Sequence, residues 1–229
     1  MAPVEIDGNP ITGATIDGTD VQEITVDGDV VFSAQTLVDN FESGNLSVWS
    51  GDLSNVQITT TALFGNNAVE FTNVADIGTD TGVDATPQTD ETHSVWVKMT
   101  ANETRPVIRY CANAATRGSS NFDSYAIQYD PRGPSFFLYK RVNDNFNSIS
   151  SVNQVLSNQW YKIEMLHESN GDIQVDIYDQ NENFVTSISA NDTQFLTNGE
   201  FDNDYVHLSA FSLPGTNTYP IYDEWTITN

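Results

Sequence analysis

The chain is built from short alternating runs spaced roughly ten residues apart, and no stretch carries the 3.6-residue period of a helix. The runs include VQITTT (56–61), AVEFT (68–72), HSVWVKMT (93–100), PVIRYCA (106–112), SYAIQYD (124–130) and SFFLYKRV (135–142). They continue with QWYKIEML (159–166), DIQVDIYD (172–179), FVTSIS (184–189), YVHLSAF (205–211) and IYDEWTIT (221–228). Alternation of this kind turns one face of a strand to a core and the other to water. Turn residues separate the runs at Gly65-Asn66-Asn67, Pro131 to Pro134, Asn170-Gly171 and Asn198-Gly199. The pattern predicts an all-β fold over residues 35–229, an antiparallel jelly roll or β-sandwich.

The first 34 residues are patterned differently. Asp7-Gly8, Asp17-Gly18 and Asp27-Gly28 each close a short run: VEIDG, ATIDG and ITVDG. Asp-Gly accepts the positive φ that a two-residue hairpin turn requires. Residues 1–34 are therefore expected to form a small β-meander, about one strand per repeat, which is too small to bury a core. Its edges need covering by copies of itself or by a partner. The segment reads as an attachment and oligomerisation module, with a homotrimer or homopentamer as the expected assembly.

Charge narrows the function classes. The chain holds 32 Asp+Glu against 8 Lys+Arg, a formal net charge of -24. Nucleic acid is not an expected partner, because neutralising phosphates needs clustered Lys and Arg. An anionic membrane surface is not expected on the same ground, and no apolar run approaches the roughly 20 residues of a membrane span. Aromatic residues make up 11% of the chain, ample for a core. Acidity with only three lysines (Lys98, Lys140, Lys162) resembles proteins of extreme halophiles. At 1 M salt the Debye length is about 3 Å, so carboxylates repel one another little. Cys111 is alone, which rules out an internal disulfide framework. The opening MAPVEIDG shows no signal-peptide pattern, so the expected location is the cytosol until assembly or export.

Two resemblances follow from particular stretches. VDNFESGNLSVW (38–49), NQWYKIEML (158–166), GDIQVDIYDQNENFVTS (171–187) and YDEWTIT (222–228) resemble the framework of concanavalin A-like, laminin G-type jelly rolls over roughly residues 36–229. The stretch ATIDGTDVQEITVDGDVVFSA (14–34) resembles a short β-repeat module of structural proteins of tailed viruses, particularly those of halophilic archaea. The jelly-roll resemblance implies a structural Ca²⁺ tying the first strand to the last, with Asp39, Glu42 and Asp223 as the matching carboxylates. Asp76, Asp80 and Asp84 in ADIGTDTGVD read as a solvated acidic loop.

Positive charge is concentrated. Lys98, Arg105, Arg109, Arg117, Arg132, Lys140 and Arg141 place seven of the eight cations within residues 98–141. Aromatic residues interleave with them. Arginine binds carboxylate or sulfate bidentately and aromatic faces stack on sugar rings. Trp96, Arg105, Arg109, Tyr110, Tyr125, Tyr129, Tyr139 and Arg141 are thus the candidate ligand-binding residues, for an acidic or sulfated glycan. Catalysis is not expected. Glu200-Phe201-Asp202 is a weak match to a hydrolase signature, and Glu164 and Glu168 stand about 13 Å apart along one strand, too far to act as a pair. His93, His167 and His207 are each isolated.

The resulting expectation is a virion structural protein of a halophilic archaeal virus: a tail fibre, turret or capsid decoration. It would be assembled in the host cytoplasm, joined to other virion proteins through residues 1–34, and would bind cell-surface glycan. The alternative is a secreted carbohydrate-binding or glycoside-hydrolase-like protein of a halophile.

Overall fold

The structure is a computed structural model. It describes residues 35–228 apart from 80–87, 100–103, 117–120, 204 and 213–217, together with three short strand pairs before residue 35. In those pairs β1 (Glu5–Ile6) meets β2 (Asn9–Pro10), β3 (Thr15–Ile16) meets β4 (Thr19–Asp20), and β5 (Glu23–Val26) meets β6 (Asp29–Ser33). Ile6 faces Asn9, Ile16 faces Thr19 and Val26 faces Asp29, so every pair brackets one Asp-Gly. The Asp-Gly residues themselves lie outside the described residues. Each repeat contributes a two-stranded hairpin, where one meander strand was expected. The chain reverses inside the repeat, so the residues after Asp-Gly become a strand as well.

The jelly roll is assembled from β7 (Gln35–Asp39), β8 (Trp49–Gly51), β9 (Val56–Thr59), β10 (Ala68–Phe71), β11 (Ala75–Thr79) and β12 (Thr92–Met99). The chain continues through β13 (Thr104–Ala112), β14 (Ser124–Asp130), β15 (Ser135–Val142), β16 (Asn145–Asn153), β17 (Gln159–His167), β18 (Asp172–Asp179) and β19 (Phe184–Asn191). A two-residue hairpin, β20 (Leu196–Thr197) and β21 (Glu200–Phe201), precedes β22 (Tyr205–Ser212) and β23 (Ile221–Thr228). An eight-stranded sheet runs β19-β18-β17-β12-β23-β10-β9, with β7 also pairing β23. A seven-stranded sheet runs β16-β15-β14-β13-β22-β11-β8.

The two sheets close on a core that alternation built. In β17, Tyr161, Ile163, Met165 and His167 are buried while Lys162, Glu164 and Leu166 are only partly so. Ile173, Val175 and Ile177 of β18 do the same, and Ile127, Leu138 and Leu208 of the other sheet join them in one core. Tyr222 ties the layers: its buried hydroxyl donates to the Ser209 carbonyl at 2.6 Å and accepts from the Val107 N–H at 3.0 Å. A satisfied buried polar group of this kind fixes register as well as stability.

One irregularity positions the site described below. β12 pairs Val95 with Trp225 but Trp96 with Asp223, so Glu224 is an extra residue in β23. Its φ is 31°. A bulge of this kind re-aims side chains and bends the strand.

Candidate functional site

The outer face of the eight-stranded sheet carries a groove of about 440 Å³. Register builds it. Ser94 of β12 lies between Glu164 of β17 and Thr226 of β23, and Trp96 lies between Lys162 and Asp223. Phe64 closes one side, its ring edge-on to Trp96 at 5.5 Å. Glu182, Glu224, Thr92 and Thr228 complete the lining. The Lys162 ammonium sits 5.1 Å from the Tyr178 ring and 5.9 Å from Trp96, with Glu164 at 3.0 Å and Glu182 at 3.9 Å. Burial pushes the Glu224 carboxyl above its ordinary value, and the neighbouring Asp223 adds to the rise. The groove thus offers an aromatic edge, several hydroxyls and three carboxylates as hydrogen-bond acceptors. Of the eight candidate ligand-binding residues, only Trp96 belongs to it, 5% exposed beneath Phe64 and Lys162; Glu164, set aside as a catalytic pair with Glu168, also lines it.

Two of the three residues matched to a metal site, Asp223 and Glu42, hold the loop that carries Phe64. Asp223 Oδ2 accepts the N–H groups of Leu63 and Phe64 at 2.8 and 3.0 Å, and Oδ1 accepts that of Glu224 at 2.9 Å. Glu42 Oε1 accepts the N–H groups of Asn66 and Asn67 at 2.8 and 2.7 Å, which holds its carboxyl below the ordinary range. Asp39 accepts the N–H of Phe41 and the indole N–H of Trp49, both at 2.7 Å. Gly65 completes the clamp: its φ is +59°, and a Cβ there would meet the Glu42 carboxylate at 2.5 Å. All three carboxylates thus already accept N–H groups of neighbouring segments, a role in holding loops in place. Among the described residues no group of three His, Cys, Asp or Glu is arranged to hold a metal.

The cationic and aromatic residues of 105–141 do not form one patch. β13 and β14 are neighbours, with Arg109 opposite Ala126 and Tyr110 opposite Tyr125. Alternation then sends Arg105 and Arg109 to the sheet face away from the core, where Arg109 is fully covered, and Tyr125 and Tyr129 to the core. Tyr110, Tyr125 and Tyr129 are at most 3% exposed, and the first two stack at 5.4 Å. Arg141 is buried between the rings of Phe122 and Phe146, at 5.2 and 4.7 Å, and pairs with Asp144. Arg105 and Tyr139 remain partly exposed, with Arg105 paired to Asp130 at 2.5 Å. Arg117 lies outside the described residues.

Arg109 belongs to a buried cluster instead. It donates to Asp76 and to Ser209 Oγ, while Ser209 Oγ donates to Asp76 Oδ2 at 2.6 Å and His207 Nδ1 lies 2.5 Å from Asp76 Oδ1. Burial by itself would raise the Asp76 carboxyl, but Arg109, with His207 and Ser209, holds it well below the usual carboxylate range. Ser, His and Asp in contact suggest nucleophilic catalysis, but the geometry opposes it. Ser209 bonds the carboxylate, not the imidazole, and His207 Nε2 is 2.7 Å from the Ala114 carbonyl. A triad needs the serine on the imidazole. Asp76 therefore sits inside the fold on β11, where the sequence had suggested a solvated loop. The other two histidines, His93 and His167, are each 3% exposed. Glu200 and Phe201 form β21, and Phe201 packs on Tyr110 and His167.

This architecture is that of lectin-like, concanavalin A-type jelly rolls. No family model matches the chain, and no curated protein matches it in sequence. Solved structures do match in fold. The carbohydrate-binding module CBM66 from Bacillus subtilis has a TM-score of 0.52 at 12% identity, covering 81% of this chain and 98% of that one. The winged bean acidic lectin, solved with methyl-α-D-galactose, has a TM-score of 0.52 at 13% identity, covering 85% and 97%. A PL-14 alginate lyase from Aplysia kurodai has a TM-score of 0.52 at 11% identity, covering 78% and 88%.

Proposed function

We propose that this protein is a non-enzymatic glycan-binding jelly roll carried on a virion of a halophilic archaeal virus. The observation that carries the binding role is the outer groove. Its aromatic edge and its carboxylates and hydroxyls, on a scaffold shared with a carbohydrate-binding module and a lectin, are the groups that hold a sugar ring and its hydroxyls. The virion role rests on the three Asp-Gly repeats, whose hairpins are too short to stand alone, and the halophilic setting rests on the net charge of -24. Residues 1–34 would dock the protein as a homo-oligomer on other virion proteins, as a fibre, turret or decoration. A glycan array in molar KCl tests the binding role. Binding that Phe64→Ala and Glu164→Gln each weaken, with melting unchanged, is the expected result. An array with no bound glycan would refute it. Deleting residues 1–34 is expected to leave a folded monomer in light scattering, and retention of the oligomer would remove the anchoring role.

One observation favours a second reading, a glycoside hydrolase of a halophile. Glu164 and Glu224 line the same groove, and the Glu224 carboxyl is raised as a general acid requires. Release of reducing sugar by the native protein, lost in Glu224→Gln, would establish that reading in place of the first.

A further inference from the structure

Among the described residues, Lys98 is the one cation with no carboxylate oxygen within 4.0 Å. Arg105, Arg109, Arg132, Lys140, Arg141 and Lys162 all pair with an acid. In a chain with four times as many acids as bases, 32 against 8, an unpaired lysine is unusual. Lys98 continues the outward series Ser94, Trp96, Lys98 on β12, so it shares a face with the groove described above. It borders a second groove of about 490 Å³, lined also by Thr61, Glu70, Asn158, Tyr219 and Ile221. Trp96 of the first groove and Ile221 of the second pack into one apolar cluster with Trp160, Ala68 and Leu63. Lys98 lies opposite Ile221, and Ile221 opposite Glu70, so the three form a row across three strands. At about 4.8 Å per strand, the Lys98 and Glu70 backbones stand roughly 10 Å apart, with Ile221 between them.

We infer that this second groove is an adjoining subsite for an anionic sugar, whose carboxylate or sulfate pairs with Lys98 while its hydroxyls donate to Glu70. The inference rests on the glycan-binding reading and specifies its ligand class. A lysine ammonium is a compact charge with three donors, suited to an isolated anion. Glu70 already accepts from Gln57 Nε2 at 2.8 Å through Oε2, which leaves Oε1 for a ligand. From Ser94 to Lys98 the strand extends about 13 Å, so a short oligosaccharide reaches both grooves. The net charge of -24 repels an acidic ligand at low salt. In molar salt that field is screened beyond about 3 Å, whereas a contact with half-buried Lys98 is screened much less.

Titration calorimetry in molar KCl with neutral, uronate-bearing and sulfated tetrasaccharides of the gluco and galacto series tests this. The native protein is expected to bind one anionic class about tenfold more tightly than its neutral counterpart, as one charge-assisted contact allows. Whichever class wins identifies the anion. Lys98→Met should erase the preference and leave neutral binding intact, Lys98→Arg should retain it, and Phe64→Ala should weaken all ligands alike. Equal binding of neutral and anionic sugars, or a preference that survives Lys98→Met, overturns the subsite and leaves the glycan reading standing. Absence of binding to every sugar overturns both.

Discussion

Replacing Asp76 by Asn removes the charge that the Arg109 guanidinium faces inside the protein. Both side chains are almost inaccessible, 0% for Arg109 and 5% for Asp76, so water cannot take the place of the lost carboxylate. Breaking a buried pair from one side costs about 3–5 kcal/mol, because the remaining charge stays buried. For a domain of this size each kcal/mol moves the melting temperature by about 2–4 °C, so a fall of roughly 6–20 °C is expected. Asp130→Asn is the control. Its partners Arg105 and Arg132 are 18% and 57% exposed, and pairs open to water contribute about 1 kcal/mol or less each. Calorimetric melting at pH 7 in molar KCl compares the two. The native protein should also lose this contribution on acidification. The folded Asp76 pKa is depressed, so its stabilisation is full above the unfolded value near 4 and disappears as pH falls below it. Asp76→Asn should lack that acid limb. An Asp76→Asn protein melting within about 2 °C of native, or no lower than Asp130→Asn, would refute the argument.

Three further outcomes are expected. His93 is buried with both ring nitrogens unpartnered, and burial pushes its pKa down from 6.5 to about 4. The unfolded chain therefore takes up a proton first, so stability is full above pH 6.5 and declines towards pH 4 by roughly 3 kcal/mol, a limb that His93→Leu should flatten in urea titrations; a parallel profile for the variant contradicts this. Thermal midpoints should climb as KCl rises from tens of millimolar to molar, since the Debye length shrinks from tens of ångströms to about 3 Å around a charge of -24; a salt-independent midpoint would remove the halophilic reading. Gly65→Ala should lower glycan binding by releasing the Phe64 loop from Glu42, with a crystal structure or binding assay as the check; unchanged binding would mean that the loop does not set the groove.

Alternation made most strands legible. The runs at 124–130, 135–142, 172–179 and 221–228 are strands with those bounds. The strands that escaped have a physical reason. β16 lies at the edge of its sheet and most of its residues are exposed or only partly buried, so NFNSISSVN carries no strong apolar period. β11 is buried at all five positions, and Asp76 and Gly78 within it imitate a loop. Gly78 is there because a Cβ would strike the Ala115 carbonyl at 2.4 Å and the His207 ring at 2.6 Å, contacts between segments distant in the chain.

The sequence by itself determined the class of fold, the turn signal at each Asp-Gly and, in strands with one wet face such as β17 and β18, which residues turn inward, because a two-residue period is a local property of the extended chain. The resemblance carried by its framework stretches also marked Asp39, Glu42 and Asp223, as carboxylates for a metal. Only the tertiary structure decided that Asp223 accepts the N–H of Leu63, 160 residues away, and that Glu164 faces Ser94 and Lys162 faces Trp96. The tertiary structure also set Arg105 and Tyr125 on opposite faces of one sheet, although the chain lists them in a single cationic, aromatic segment. Periodicity tells which residues share a face; which strands lie side by side is settled by long-range hydrogen-bonded pairing and burial, and a site built across strands exists only once that pairing is made.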